Sequence, residues 1–281
     1  MAGKDSVLAR KRMAIPFLAW AFIFIVVPIA LVVYYSLCIE VDGVMVFSLA
    51  NYARAFEPIY LKVLWRSVRL ALASTAACII VGYPVAYIMA SKEYAQKNLL
   101  LFLFLVPMWM NFLLRTYSWL TILENNGLIN TFLAFLGLPK MSLLYNSQAV
   151  ILGMVYNFLP FMILPIHTSL SKMDKSLIEA AEDLGADSRQ VFLRLVLPLS
   201  MPGVISGITM VFLPAVTTFI ISDLLGGAQF MLIGNLIEQQ FLKVSNWNFG
   251  AAVSVILMIL IIASVGIFSI VDKDSDEGAL F

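Results

Sequence analysis

Residues 179–198 form a charged segment between long apolar segments of this chain. The segment reads EAAEDLGADSRQVFLRLVLP and carries carboxylates and guanidinium groups, although only 12% of the 281 residues are charged. Asp174 or Ser176 could cap a helix here, and Gly185 is placed to end that helix in a left-handed turn. Exposed carboxylates select a basic or amide-bearing surface. The pattern predicts a helix–turn–helix, stopped by Pro198, that binds another protein. An amphipathic loop packed on its own helices is the alternative.

Other kinds of chemistry have no pattern in this sequence. It contains no G-x-x-x-x-G-K-[ST] phosphate loop and no G-x-S-x-G motif. Cys38, Cys78 and the one histidine, His167, lack the clustered spacing of metal ligands. A net charge of +1 argues against a nucleic-acid partner. We expect neither enzyme activity nor a cofactor or metal in this chain, so that energy would have to enter through a partner.

The elements around this segment are apolar. With 62% hydrophobic residues, the composition is typical of a polytopic helical membrane protein. We expect an all-α bundle in a single transmembrane domain covering residues 1–281. The apolar segment 127–138 is too short to cross and is interpreted as re-entrant or interfacial. The predicted membrane spans are 13–37, 70–90, 99–122, 149–166, 203–221 and 249–271.

The basic residues predict the orientation of these spans. Lysine and arginine concentrate on the cytoplasmic side of membrane proteins. We therefore expect both termini and the 179–198 segment to be cytoplasmic. Loops 38–61, 123–148 and 222–248 would then face outward, with a mild excess of acidic residues. The basic residues predicted to be cytoplasmic are Lys4, Arg10, Lys11, Arg12, Lys92, Lys97, Lys172, Lys175, Arg189, Arg194 and Lys273, against Arg54, Lys62, Lys140 and Lys243 outside.

The string E-A-A-x-x-x-G-A, followed by L-x-L-P, resembles the EAA loop of permease subunits of ABC importers. The resemblance implies the architecture of a type I ABC-importer permease. In that family the loop forms a coupling helix that docks in a cleft of a separate ATPase subunit, so here residues 171–201 would be the cytoplasmic coupling loop. The implied ATPase-coupling residues are Glu179, Ala180, Ala181, Gly185, Ala186, Leu197 and Pro198.

Further stretches resemble the polyamine branch of these permeases, specifically the first permease of the spermidine/putrescine pair. They imply import across a bacterial inner membrane with several partners: a second, homologous permease, two ATPase subunits holding ATP and magnesium, and an extracytoplasmic polyamine-binding protein. An importer of an anion or iron, an ATP-independent secondary transporter or channel, and a membrane scaffold remain alternatives. The stretches are 51–60, 82–90, 113–123, 159–186, 195–207 and 221–241.

A polyamine cargo would need carboxylates for its ammonium groups and aromatic faces for cation–π contact. We therefore predict a cation path from acidic and aromatic residues placed by depth along the spans. Alternatively, the tyrosines of this set pack the bundle, and its aspartate caps the Gly226-Gly227 turn or pairs with Arg115. The predicted path residues are Trp109, Tyr117, Glu124 and Asp223, with Tyr83 and Tyr87 deeper.

Overall fold

The computed structural model describes residues 15–90, 102, 104–227 and 230–278, with side chains described up to residue 270. Two strands form one hairpin, β1 (Cys38–Val41) and β2 (Val44–Phe47). The helices are α1 (Ile15–Ser36), α2 (Ala50–Ala55), α3 (Pro58–Ala90), α4 (Phe112–Leu123), α5 (Leu128–Phe135), α6 (Ser147–Lys172), α7 (Lys175–Asp183), α8 (Ser188–Thr217), α9 (Ile220–Gly226), α10 (Ile233–Glu238) and α11 (Trp247–Gly278).

Five of the described helices are long and apolar enough to cross a bilayer, namely α1, α3, α6, α8 and α11. They confirm five of the six predicted spans and extend most of them. The short helix α5 has 8 residues. At 1.5 Å per residue it measures about 12 Å, well short of a hydrocarbon core of about 30 Å. This agrees with the prediction that segment 127–138 does not cross.

The predicted third span, 99–122, differs from the prediction. Its residues 99–101 and 103 lie outside the described residues, and the described part is not one continuous helix. A 3₁₀ turn covers Val106–Trp109, after which Met110 is extended. A new helix, α4, then begins, capped by Asn111, whose Oδ1 accepts from the backbone N–H of Leu113 at 2.9 Å. Pro107 lacks an N–H and suits the first turn of such a short helix, while Asn111 favours a helix start over a helix interior.

One compact unit comprises residues up to Leu61 together with Ile237–Ile259. Its hairpin pairs Cys38 with Phe47 and turns at Asp42 and Gly43, both with positive φ. The Asn248 Nδ2 donates to the Cys38 carbonyl at 2.8 Å, and the Arg54 guanidinium lies 4.3 Å from the centre of the Phe249 ring. The loop predicted at 38–61 is therefore largely structured.

The second unit comprises Lys62–Leu236 and the chain from Leu260 onward. Within it α8 packs along α6 at a glycine contact. A Cβ on Gly203 would lie 2.7 Å from the Pro165 carbonyl, and one on Gly207 would lie 2.7 Å from the Met162 sulfur. Small residues allow membrane helices to approach this closely. The helix pair is therefore tightly packed along its length.

The predicted fifth span, 203–221, ends earlier than predicted. Helix α8 stops at Thr217, Thr218 is extended, and α9 begins at Ile220. The buried Asn235 supports this break, because its Nδ2 donates to the Phe219 carbonyl at 2.9 Å and its Oδ1 accepts from the Ser222 hydroxyl at 2.6 Å. A side-chain amide thus satisfies backbone groups that a continuous helix would pair internally.

Candidate functional site

Helix α7 begins at a side-chain cap. The Asp174 Oδ1 accepts from the backbone N–H of Ser176 at 3.0 Å. This hydrogen bond stabilises the charged carboxylate and lowers the pKa of Asp174 below its ordinary value. Of the two capping residues that the sequence allowed, the structure uses Asp174. A carboxylate at a helix N-terminus also faces the positive end of the helix dipole.

The turn after α7 depends on Gly185. Its φ is +85°, which confirms the predicted left-handed turn. The backbone N–H of Ala186 donates to the Ala181 carbonyl at 3.0 Å, and that of Gly185 donates to the Glu182 carbonyl at 2.9 Å. These two bonds form a Schellman motif, which closes a helix on its own last carbonyls. The geometry of the turn is therefore set by local backbone bonds.

Helix α8 starts with a capping box. The Asp187 Oδ1 accepts from the Gln190 N–H at 2.6 Å, and the Gln190 Oε1 accepts from the Asp187 N–H at 3.3 Å. The box lies at the start of α8, eleven residues after Ser176. Two successive caps thus set where α7 and α8 begin.

The prediction that Pro198 stops the second helix is wrong. Helix α8 runs without interruption from Ser188 to Thr217. Its residues Phe192–Val196 form one wide π turn, in which the Leu197 N–H donates to the Phe192 carbonyl. Pro198 follows directly at the start of the next α-helical stretch, where its missing N–H is tolerated. The helical hairpin formed by α7 and the first turns of α8 is therefore continuous with a membrane-spanning helix.

Helix α7 and the turn after it are largely exposed, including apolar side chains. Leu184 is 90% exposed and Leu177 is 45% exposed. Leu184 lies beside the exposed carboxylates of Glu182 and Asp183. The predicted coupling residues Glu179, Ala180, Gly185 and Pro198 are also exposed, while Ala181, Ala186 and Leu197 are half-buried.

A cavity of about 340 Å³ lies beneath α7. Two predicted path residues, Tyr83 and Tyr87, lie on this side of the molecule. The Tyr83 hydroxyl is 2.9 Å from the Ser200 hydroxyl, and both tyrosine rings meet the Phe192 ring edge-on, at 5.9 and 5.6 Å between centroids. The structure therefore brings both tyrosines against α8. The cavity is lined by Tyr87, Ala90, Leu170, Ser171, Met173, Lys175, Ile178, Glu179, Glu182 and Val196.

The other predicted path residues lie apart from the tyrosines. Trp109 is 76% exposed and meets Phe102 edge-on, and Tyr117 on α4 is 51% exposed. Asp223 is exposed in the first turn of α9. Among the described residues no hydrogen bond, ring contact or ion pair joins these side chains to one another.

The suggested pair between Asp223 and Arg115 does not form. Arg115 is 8% exposed, its Nε has no hydrogen-bond partner, and no carboxylate of the described chain lies within ion-pair distance of it. A buried guanidinium without a counter-charge is energetically unfavourable.

Glu124 lines a second cavity, of about 330 Å³, together with Asn125, Asn126, Ser142, Leu144 and Tyr145. These residues follow α4 or precede α6. The cavity therefore lies by the N-terminal end of α6, whereas α7 follows the C-terminal end of the same helix. With 26 residues, α6 separates the two by about 39 Å. Sequence reasoning singled out Glu124 but missed the polar residues around it.

Comparisons with known proteins extend over most of this chain. The family described as "Binding-protein-dependent transport system inner membrane component" matches residues 82–274. The chain is similar to the spermidine/putrescine transport system permease protein PotB of Escherichia coli (strain K12), with 42% identity over 88% of this chain and 92% of that relative. It is 41% identical to the corresponding protein of Haemophilus influenzae over 86% of each chain, and 32% identical to the inner membrane ABC transporter permease protein YdcU of Escherichia coli over 76% of this chain and 72% of that one.

Solved structures with lower sequence identity share the fold. A chain of a bacterial ABC transporter involved in the import of the acidic polysaccharide alginate superposes with a TM-score of 0.77 at 15% identity, over 96% of both chains. A chain of the MetNI methionine ABC transporter in an inward-facing conformation superposes with a TM-score of 0.54 at 18% identity, over 78% of this chain and 98% of that one.

Proposed function

Because this chain belongs to the family of binding-protein-dependent transport system inner membrane components, we propose that it is the first permease of an ABC importer that carries polyamines such as spermidine and putrescine into the cytoplasm. As a permease subunit it is not an enzyme, and ATP hydrolysis belongs to partner subunits. The similarity to PotB over 88% of the chain is the observation that supports the cargo.

The helical hairpin at residues 174–198 is proposed as the contact with the ATPase. Its caps set where α7 and α8 begin, and a push on α7 would move the hairpin as one body. The exposed leucine and carboxylates would dock in the ATPase cleft, where apolar contact provides affinity and charge provides specificity. The residues proposed for this contact are Glu179, Ala180, Ala181, Gly185, Ala186, Leu197 and Pro198, with Leu184 added from its exposure.

Helix α8 is proposed to carry the motion into the membrane. It joins the hairpin to the spanning part without a break, and packed side chains cross from it to α3 at Ser200 and Phe192. The close packing at Gly203 makes α6 move with α8. When two ATPase subunits close on ATP, the hairpin would tilt α8 and open the permease pair outward. Hydrolysis would reset it.

The path itself is proposed to run between this chain and a second, homologous permease in a single transmembrane domain, residues 1–281. Trp109, Tyr117, Glu124 and Asp223, with Tyr83 and Tyr87 deeper, are proposed to line it. Aromatic faces and carboxylates suit a chain of ammonium and methylene groups. An extracytoplasmic polyamine-binding protein would deliver the cargo, and both termini would face the cytoplasm of a bacterium.

Reconstitution tests this function. The chain would be purified with its partner permease and ATPase subunits, placed in liposomes with the binding protein, and supplied with radiolabelled spermidine, putrescine or phosphate. We expect ATP-dependent uptake of the two polyamines and none of phosphate. Uptake of phosphate alone would assign the importer to anions. Uptake by the isolated chain, driven by an ion gradient without ATP, would instead assign it to secondary transport.

A further inference from the structure

The cavity at Glu124 has rigid walls. Asn130 is fully buried between them, and its Nδ2 donates to the Glu124 carbonyl at 3.1 Å and to the Met141 carbonyl at 2.9 Å. Its Oδ1 accepts from the Met141 N–H at 2.9 Å. A buried amide with three satisfied bonds clamps segment 124–126 to segment 141–145. The cavity is therefore built into the fold.

The tyrosine of this cavity is also held in place. Tyr145 has a positive φ of 59°, and its N–H donates to the Leu225 carbonyl at 2.9 Å. A Cβ on Gly227 would lie 2.8 Å from the Tyr145 ring, so the glycine leaves space for the ring. A non-glycine residue with positive φ requires surrounding contacts that maintain it. The aromatic wall is thus fixed independently of the polar walls.

Two exposed side chains that line this cavity have no partner among the described residues. The Glu124 carboxylate makes no hydrogen bond and no ion pair there, and the Asn125 side chain makes no hydrogen bond. Side-chain acceptors that remain unpaired beside an aromatic ring match the needs of an ammonium ion, which presents three N–H donors and a positive charge. A carboxylate would also exclude anions from the cavity.

A lysine of this chain already makes the kind of contact that an ammonium ligand would make. The Lys140 ammonium donates to the Asn126 Oδ1 at 2.9 Å, and Asn126 is a wall of the cavity. An amide of this wall therefore already accepts an ammonium group. The same lysine places a positive charge near the cavity, which opposes a second cation.

We propose that this cavity binds one terminal ammonium group of a linear polyamine before the cargo enters the membrane. The proposal rests on the proposed function for the identity of the cargo. A cavity of about 330 Å³ has room for an ammonium group with a few methylenes. Glu124 supplies the charge, Asn125 and Asn126 supply amide acceptors, and Tyr145 covers the methylenes.

The test uses the complete importer in nanodiscs without the binding protein, with tritiated putrescine as the probe. We expect Glu124→Gln, which keeps the shape and removes the charge, to weaken putrescine binding by about tenfold, a typical value for losing one charged hydrogen bond. Lys140→Met should instead tighten binding by about threefold, because it removes a nearby like charge. Glu57→Gln, at another exposed glutamate that does not line this cavity, should leave binding unchanged.

Opposite effects of Glu124→Gln and Lys140→Met would support the site, because misfolding of either variant cannot strengthen binding. Unchanged binding in Glu124→Gln, or weaker binding in Lys140→Met, would overturn it. Competition by 1,4-butanediol, which has the length but no ammonium, would also overturn it. Glu124→Gln could instead leave putrescine binding intact and weaken the docking of the extracytoplasmic polyamine-binding protein. The cavity would then accept a lysine of that protein and not the cargo, and the proposal fails.

Wild-type uptake separates this inference from the proposed function. If the wild-type importer neither binds putrescine nor transports polyamines, the proposed function fails. If it transports them while Glu124→Gln binds putrescine as the wild type does, only the cavity assignment fails.

Discussion

The two ends of α6 are built by different means. At the C-terminal end, helix α7 projects into solvent and is shaped by short-range bonds, in which Asp174 and Asp187 cap helices and Gly185 closes a turn. At the N-terminal end, buried Asn130 joins chain segments that surround a cavity. The first end presents a convex surface with an exposed leucine, and the second presents a concave one with free acceptors. A convex surface that carries a leucine among carboxylates suits a protein partner, whereas a concave polar one suits a small ion.

The largest effect in this comparison is expected at Gly185. Replacement by valine places a β-branched residue at a φ of +85°, which is strongly disfavoured. No atom lies within 4 Å of the position that its Cβ would take, so the cost comes from the backbone alone. We expect polyamine uptake to fall to about a tenth while the ATPase activity persists. Gly185→Asn, which tolerates the left-handed region, should retain most uptake, and unchanged uptake in Gly185→Val would contradict the coupling role.

Leu184 tests whether the convex end is a docking surface. Because it is 90% exposed, Leu184→Asp should leave the thermal stability of the permease unchanged. It should weaken binding of the ATPase subunit by about tenfold, as expected at a central interface residue. Surface plasmon resonance with the immobilised permease pair would measure this. Leu128→Asp, at a leucine 71% exposed near the other end of the molecule, is the matched control and should bind the ATPase normally.

Asn130 tests whether the concave end depends on its buried amide. Asn130→Ala removes three hydrogen bonds and leaves the Met141 N–H without its partner. We expect a loss of about 2 kcal/mol in unfolding free energy, together with loss of putrescine binding. Thermal unfolding and tritiated putrescine binding would be measured on the same sample. A variant as stable as the wild type would show that water replaces the amide and that the walls of the cavity do not depend on Asn130.

The smallest effect is expected at the contact between α3 and α8. Tyr83→Phe keeps the edge-on ring contact with Phe192 and removes only the hydroxyl bond to Ser200. A single neutral hydrogen bond contributes about 1 kcal/mol, so uptake should fall by less than about threefold. Combining it with Ser200→Ala should add no further loss, because both changes remove the same bond. Additive losses would mean that the two hydroxyls act separately.

Much of the fold could be predicted from the sequence because the apolar segments are long. Five predicted spans are present, and the similarity to ABC importer permeases confirms the predicted type I helical fold, with a six-helix count in rough agreement. The EAA string also identified the family correctly. Gly185 was predicted in a left-handed turn and has one, because glycine after an amphipathic helix is a strong local signal.

The failures occur where distant residues decide local structure. Pro198 does not stop α8, because the π turn before it removes the need for a proline N–H. The hairpin at Cys38–Phe47 depends on contacts with Asn248, which no local pattern reveals. The cavity at Glu124 depends in the same way on Asn130, which no local pattern singled out.

The wide turn at Phe192–Val196 has an evolutionary consequence. Such a turn accommodates one extra residue in an otherwise regular helix, and it lies directly before Pro198, which has no N–H to give. Deleting one residue there would place Pro198 inside ordinary i to i−4 pairing, where its missing N–H and its ring oppose the helix. A relative that lost this residue would therefore also have to lose the proline to keep the helix unbroken between the ATPase contact and the membrane part.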